Sequence, residues 1–191
     1  MAKKVNNQTA DEESWGQFFL KLVAMMVIIS GATLLIFSYF LSNNRVSGAS
    51  MQPNFENNER LISQRHFTPQ RNQVVVLRAP KAAQDVPGTF YVKRIIGLPG
   101  DKIVSKNDKM YVNGKLLPEP YLENNFKKID NDAGTTYTTN FTYHVPKGTY
   151  WVMGDHRDIS KDSRFFGSIK RSALIGKVTV RYWPLNRIQH F

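Results

Sequence analysis

From residue 22 to residue 41 the chain carries no charged side chain, and only the hydroxyls of Ser30, Thr33 and Ser38 interrupt the apolar run. At a rise of about 1.5 Å per residue such a stretch forms a helix of about 30 Å, the thickness of a bilayer core. A helix buried in a soluble protein would show a broader polar stripe. Trp15 and Phe18 lie near one edge of the run and Tyr39 and Phe40 near the other, where aromatic rings favour the membrane interface. The pattern predicts a transmembrane anchor over residues 18–41, preceded by a short segment, residues 1–17. A cleaved secretory signal is the alternative, with small residues around Ala49 as its cleavage point. The apolar run is longer than a typical signal core, and the residues before it carry Asp11, Glu12 and Glu13 against Lys3 and Lys4, which favours retention.

Beyond residue 41 the texture changes. Short runs rich in Val, Ile, Tyr and Phe alternate with turn residues such as Pro69, Pro80, Pro87–Gly88, Pro99–Gly100, Asn113–Gly114, Pro146, Gly148 and Pro184. Period-two runs bounded by such residues read as strands, and the run around Asn113–Gly114 reads as a hairpin. No segment after residue 45 keeps a helical period over ten residues. Residues 42–191 therefore form a mainly β domain. Residues 123–142, polar and rich in Asn and Thr, are expected as a surface insertion.

Charge refines this picture. The chain of 191 residues has a net charge of +11, all of it contributed after residue 41. The basic residues are scattered and no nucleic-acid-binding signature accompanies them, so an anionic membrane or wall surface suits them better than nucleic acid. Lys3, Lys4 and Lys21 precede the anchor and Arg45 follows it, which places the N-terminus on the cytoplasmic side and the β domain outside. The sequence has no cysteine, so disulfides, thiolate metal sites and a cysteine nucleophile are excluded. His66, His144, His156 and His190 lack ligand spacing, and neither metal nor cofactor is expected.

Three segments can carry chemistry. Residues 47–53 set Ser50 among Gly48 and Ala49 before Met51 and Pro53, a constrained turn that suits a nucleophile; a flexible linker beside a membrane has the same composition. Residues 90–101 embed Lys93 in the run Tyr91-Val92-Lys93-Arg94-Ile95-Ile96, and alternation puts Tyr91, Lys93 and Ile95 on one face. A buried lysine loses its proton more readily and can act as a base, whereas an edge-strand lysine would only discourage aggregation. Residues 153–167 mix Asp155, Arg157, Asp158, Ser160, Asp162, Ser163 and Arg164, either a solvated loop or a hydrogen-bonded scaffold that holds a site rigid.

Taken together and in this order, Ser50-Met51-x-Pro53, Tyr91 to Asp101, and Gly154-Asp155-x-Arg157-x-x-Ser160-x-Asp162-Ser163-Arg164-x-x-Gly167 resemble the signature segments of the bacterial type I signal peptidase family. The resemblance runs from the anchor to about residue 184, and the single anchor is similar to that of the shorter Gram-positive members. It implies a signal-peptidase-like β catalytic domain and a hydrolase that removes signal peptides from exported preproteins after Ala-x-Ala-like sites, at the lipid bilayer and close to the translocation machinery.

By this resemblance Ser50 is the nucleophile and Lys93 the general base, neutral at rest. Ser160 matches the family's lysine-orienting serine, Asp162 and Arg164 its bracing pair, and Asp155 and Arg94 a second pair. Substrate is expected as an extended strand, with Val46, Tyr91 and Val92 as candidates to line shallow pockets for small side chains. Two positions depart from the family. Gly48 stands where the Gram-negative type often has an oxyanion-binding serine, which leaves the second donor to a backbone N–H or a water. His156 stands where the family usually has Asn. The rival readings are a non-catalytic homologue acting in surface assembly, a membrane-tethered wall-binding module and a cytoplasmic Ser–Lys autoprotease. The first lacks a reason to keep both Ser50 and Lys93, the second has no need of an embedded lysine, and the third has no need of an anchor.

Overall fold

The computed structural model describes residues 15–122, 126–128 and 133–191. The described part of the chain divides into a helix and a β domain that begins at Phe40.

The helix α1 spans Trp15–Phe40, with none of its side chains buried. It is long and apolar enough to cross a membrane, the only such helix among the described residues. Its 26 residues extend about 39 Å at the standard rise. Thr33 Oγ1 donates to Ile29 O at 2.8 Å and Ser38 Oγ to Leu35 O at 2.9 Å. The hydroxyls are thereby satisfied within the helix, as an apolar surrounding demands.

Among the described residues the domain has twelve strands: β1 Leu41–Arg45, β2 Arg60–Gln64, β3 Val74–Arg78, β4 Phe90–Gly97, β5 Lys102–Lys106, β6 Lys109–Val112, β7 Lys115–Leu116, β8 Phe141–His144, β9 Thr149–Met153, β10 Ile169–Lys170, β11 Leu174–Trp183 and β12 Gln189–His190. One sheet runs β1-β2-β11-β3-β4-β9-β10, with β12 also on β11; a smaller one runs β7-β6-β5-β8. Every pairing is antiparallel.

β3 lies near the middle of the large sheet, and Val74 to Leu77 are all buried. Val75 and Leu77 pack with Ile95, Val152, Phe166 and Leu174. Val74 and Val76 pack with Val46, Met51, Phe55 and Leu61. Alternation thus makes one strand the wall between two apolar clusters. A third cluster, formed by Ile96, Ile103, Met110, Val145, Trp151 and Met153, joins the two sheets. Gly97 sits where they meet. A Cβ there would fall under 3.0 Å from Ile103 Cδ1, so a side chain would push the sheets apart. The hairpin between β6 and β7 turns over Asn113 and Gly114, both with positive φ (51° and 78°), the conformation that Asn-Gly favours.

Two expectations need adjustment. The anchor helix ends at Phe40, and Leu41 opens β1, whose polar residues pair with β2 from Leu41↔Gln64 to Arg45↔Arg60. This strand has no apolar alternation because it is an edge strand, held by backbone bonds rather than by a buried face. Within the expected surface insertion 123–142, residues 123–125 and 129–132 lie outside the described residues. Tyr137 and Thr138, however, are buried, and β8 begins at Phe141. The backbone N–H groups of Tyr137 and Thr138 donate to the Asp108 carboxylate at 3.1 and 2.7 Å, and that long-range anchorage leaves no trace in local composition.

Candidate active site

Ser50 lies in the loop between β1 and β2. The loop closes on itself through Val46 N–H to Glu59 O at 2.8 Å and Asn58 N–H to Val46 O at 2.9 Å. Met51 and Phe55 are buried in the core beneath it, so apolar burial fixes the residues on the far side of Ser50. Arg181, reaching in from β11, donates to Asn54 O at 2.7 Å and meets Glu59 Oε2 at 3.1 Å. Arg187 meets Glu59 Oε1 at 3.1 Å. The Ser50 loop is therefore tied to the core by side chains as well as by its own backbone. Gly48 has φ +87°, and its N–H donates to Asn57 Oδ1 at 3.1 Å. It brings no hydroxyl to the site, and its amide is occupied. The Ser50 N–H makes no hydrogen bond among the described residues.

Lys93 enters from β4, with β3 on one side and β9 on the other. It is only 2% exposed. Its Nζ lies 2.6 Å from Ser50 Oγ and 5.1 Å from the centre of the Tyr91 ring. Burial pulls its pKa down from 10.5 to about 8, with Asp162 and Asp155 opposing the shift and Arg164 assisting it. The loss of water around the ammonium outweighs the two carboxylates, so the neutral amine is accessible near neutral pH.

The loop after β9 packs against this pair. A Cβ on Gly154 would fall under 3.0 Å from both Ser160 Oγ and the Ser50 carbonyl oxygen, so a residue without a side chain is required there. Asp155 accepts two hydrogen bonds from Arg94, Nε to Oδ1 at 2.9 Å and Nη2 to Oδ2 at 2.6 Å, and a third from Asn54 Nδ2 at 3.0 Å. Asp162 accepts from Gly154 N–H at 3.0 Å and caps the short helical turn Ser163–Phe166 through Arg164 N–H at 3.1 Å. It is also gripped by the Arg164 guanidinium, Nε to Oδ1 at 2.9 Å and Nη2 to Oδ2 at 2.8 Å. The candidates Ser160, Asp162, Arg164, Asp155 and Arg94 are thus brought around one loop. Ser160 Oγ is buried with no hydrogen-bond partner among the described residues, and the hydrogen bond that Lys93 Nζ donates goes to Ser50.

A cleft of about 460 Å³ opens beside Ser50, and Val46, Val76, Tyr91, Val92 and Ile175 are among its lining residues. The three substrate-binding candidates thus share with the serine one groove whose lining also includes Asn43, Asn44, Arg45, Arg65 and Arg78. Among the described residues no group of three or more His, Asp or Glu could hold a metal ion.

Several supports of the site are not evident in the sequence. Asn54, Glu59 and Arg181 belong to none of the three segments. Arg157 stands out there only as part of a motif; it is fully buried, donating to Gly154 O at 2.9 Å and pairing with Glu119. Tyr137 donates to Asp155 O at 2.9 Å. Charge inside an otherwise alternating strand is the one sequence signal that marks Arg181.

What this geometry offers is a hydroxyl, a desolvated amine in contact with it, an unengaged backbone N–H and a groove of mixed apolar and polar lining. Comparison with known proteins points the same way. The model of the family described as signal peptidase, peptidase S26, matches residues 19–183. Signal peptidase IB of Staphylococcus aureus is 36% identical over 185 residues, covering 89% of this chain and 94% of that protein. Signal peptidase I of Streptococcus pneumoniae is 34% identical over 203 residues, covering 91% and 97%. The crystal structure of a signal peptidase I from Enterococcus faecalis superposes with a TM-score of 0.52 at 34% identity, covering 59% of this chain and 98% of that one.

Proposed function

The chain belongs to the signal peptidase family, peptidase S26, and on that premise we propose that it is a membrane-anchored type I signal peptidase, a serine endopeptidase that releases exported preproteins from their signal peptides with a Ser50–Lys93 dyad. The observation that carries this reading is the 2.6 Å approach of Lys93 Nζ to Ser50 Oγ with the lysine almost wholly removed from water.

Neutral Lys93 takes the Ser50 hydroxyl proton as Ser50 Oγ bonds to the scissile carbonyl carbon. The resulting oxyanion accepts a hydrogen bond from the Ser50 N–H. The carbon–nitrogen bond then breaks, Lys93 returns its proton to the leaving amine, and Ser50 holds the acyl group as an ester. Water attacks that ester, with Lys93 again accepting a proton; the bond between Ser50 Oγ and the acyl carbon then breaks, Lys93 returns the proton to Oγ, and the new carboxyl terminus leaves. Asp155, Arg94, Asp162 and Arg164 hold the surrounding backbone, and Ser160 packs against Gly154 with its hydroxyl unpartnered among the described residues. Substrate lies extended along the groove beside Val46, Tyr91 and Val92, and backbone pairing supplies its register. Shallow apolar walls suit small side chains at the −1 and −3 positions.

The residues before the span lie in the cytoplasm, the apolar helix up to Phe40 crosses the bilayer, and the β domain from Leu41 works outside it. Anchoring the serine ten residues beyond the end of the helix at Phe40 confines it to the surface where membrane-inserted signal peptides expose their cleavage point, close to the translocation machinery. The domain's positive charge favours an anionic lipid surface.

The test is the new N-terminus of a preprotein cut in proteoliposomes. The reading predicts one cut after an Ala-x-Ala site, abolished by Leu at −1 and by Ser50→Ala in the enzyme. Cleavage elsewhere, or cleavage indifferent to the −1 residue, would overturn it.

A further inference from the structure

The peptide group between Ala49 and Ser50 has two ends. Its N–H is the Ser50 amide, the donor assigned above to the oxyanion. Its oxygen is Ala49 O, which accepts from Gln52 N–H at 3.0 Å and lies 3.2 Å from His156 Nδ1. The next carbonyl, Ser50 O, accepts from the His156 backbone N–H at 3.1 Å. One residue therefore grips the carbonyls on both sides of the nucleophile.

The imidazole is itself held. Nε2 lies 3.2 Å from Asp158 Oδ1. The Phe126 ring stacks on it at 3.9 Å between centres and 25° between planes, and the Tyr137 ring lies 6.4 Å away. His156 is buried. Both ring nitrogens face oxygens, a carbonyl and a carboxylate, that can only accept. Because Ala49 O can only accept, the hydrogen bond between it and the imidazole needs the ring hydrogen on Nδ1.

Resting on the serine–lysine reading above, we propose that His156 is a positioning residue for the oxyanion donor: by donating from Nδ1 to Ala49 O it fixes the plane of the Ala49–Ser50 peptide and aims the Ser50 N–H. Hydrogen bonding at a carbonyl polarises the whole amide, so the N–H at its other end becomes a stronger donor. Gly48 supplies no side-chain donor to share the load, which places more weight on this one N–H. Substrate binding does not use the bond, so its loss falls on the transition state.

The test uses the purified full chain in detergent, with kcat and KM on a preprotein bearing an Ala-x-Ala site and the Ser50 amide proton shift by NMR. His156→Ala lowers kcat about tenfold, a fraction of what losing an oxyanion donor costs. It leaves KM within about twofold and moves the Ser50 amide proton upfield. His156→Asn, whose carboxamide can donate to Ala49 O, restores most of kcat and the shift. Asp158→Ala, which removes a carboxylate 40% exposed and only frees the ring, lowers kcat about threefold, and it decides the matter should the alanine variant at 156 fail to fold. The proposal is overturned if kcat is unchanged, if only KM moves, if Asn rescues no better than Ala, or if the amide proton stays put. An inert wild type whose Ser50 shift still responds to His156 would instead sink the serine–lysine reading and leave the hydrogen bond standing.

Discussion

Arg94 and Asp155 meet through two parallel hydrogen bonds, 2.9 and 2.6 Å long. Arg94 is next to Lys93 on β4, and Asp155 follows Gly154 in the loop that touches the Ser50 carbonyl. The pair therefore bolts the strand carrying Lys93 to the loop that abuts Ser50. Asp155 is almost completely buried, and removing one partner from a buried pair leaves a charge without compensation. Arg94→Leu is expected to lower unfolding free energy by about 3 kcal/mol, measured by urea denaturation of the domain in detergent. A loss under about 1 kcal/mol would mean that the pair behaves like an exposed one.

Burial of Lys93 has an energetic consequence that depends on pH. Its pKa in the folded chain is about 8 rather than 10.5, so the unfolded chain binds the proton more tightly. Folding releases protons between these values, and stability rises with pH across that window. Below about pH 8 the penalty is fully present, on the order of 3 kcal/mol, since each tenfold loss of proton affinity costs about 1.4 kcal/mol. Lys93→Met should therefore raise the melting temperature at pH 7, with the gain fading as pH climbs towards about 10.5. Equal melting curves for the two proteins at pH 7 would show that the amine is not desolvated.

Gly154 separates packing from chemistry. A Cβ there meets Ser160 Oγ and the Ser50 carbonyl oxygen, while the hydrophobic clusters lie elsewhere. Gly154→Ala is expected to fold and to lose about 100-fold in kcat, the scale of an ångström-sized misplacement at a reacting group. Steady-state kinetics beside a circular dichroism spectrum decides this, and near-normal kcat in the folded variant would show that the loop can yield.

The parts most legible in the sequence are those with local causes. The anchor follows from an uncharged apolar run, the β6–β7 hairpin from Asn113–Gly114, and the burial of β3 from four consecutive apolar residues. Ser50, Lys93 and the polar loop stand out by order and spacing through a family resemblance; alternation alone leaves Lys93 open between a base and an edge residue. The polar strand β1 is not legible, because its support is a partner strand fifteen or more residues away. Nor is the set of Glu59, Arg181 and Arg187 that holds the Ser50 loop, since Glu59 and Arg187 are ordinary charged residues until the chain folds. Tyr137 and Thr138 look like loop residues because the carboxylate that captures them, Asp108, belongs to a distant hairpin.

The Ser50–Lys93 assignment is tested most sharply by the pH dependence of kcat/KM for preprotein cleavage by the wild type, Ser50→Ala and Lys93→Ala. A lysine base requires a wild-type rate that climbs about tenfold per pH unit and levels off near pH 8, as Lys93 becomes neutral. Both variants should be folded and inactive throughout. Cleavage by folded Lys93→Ala, or a wild-type profile flat through pH 8, would rule the dyad out.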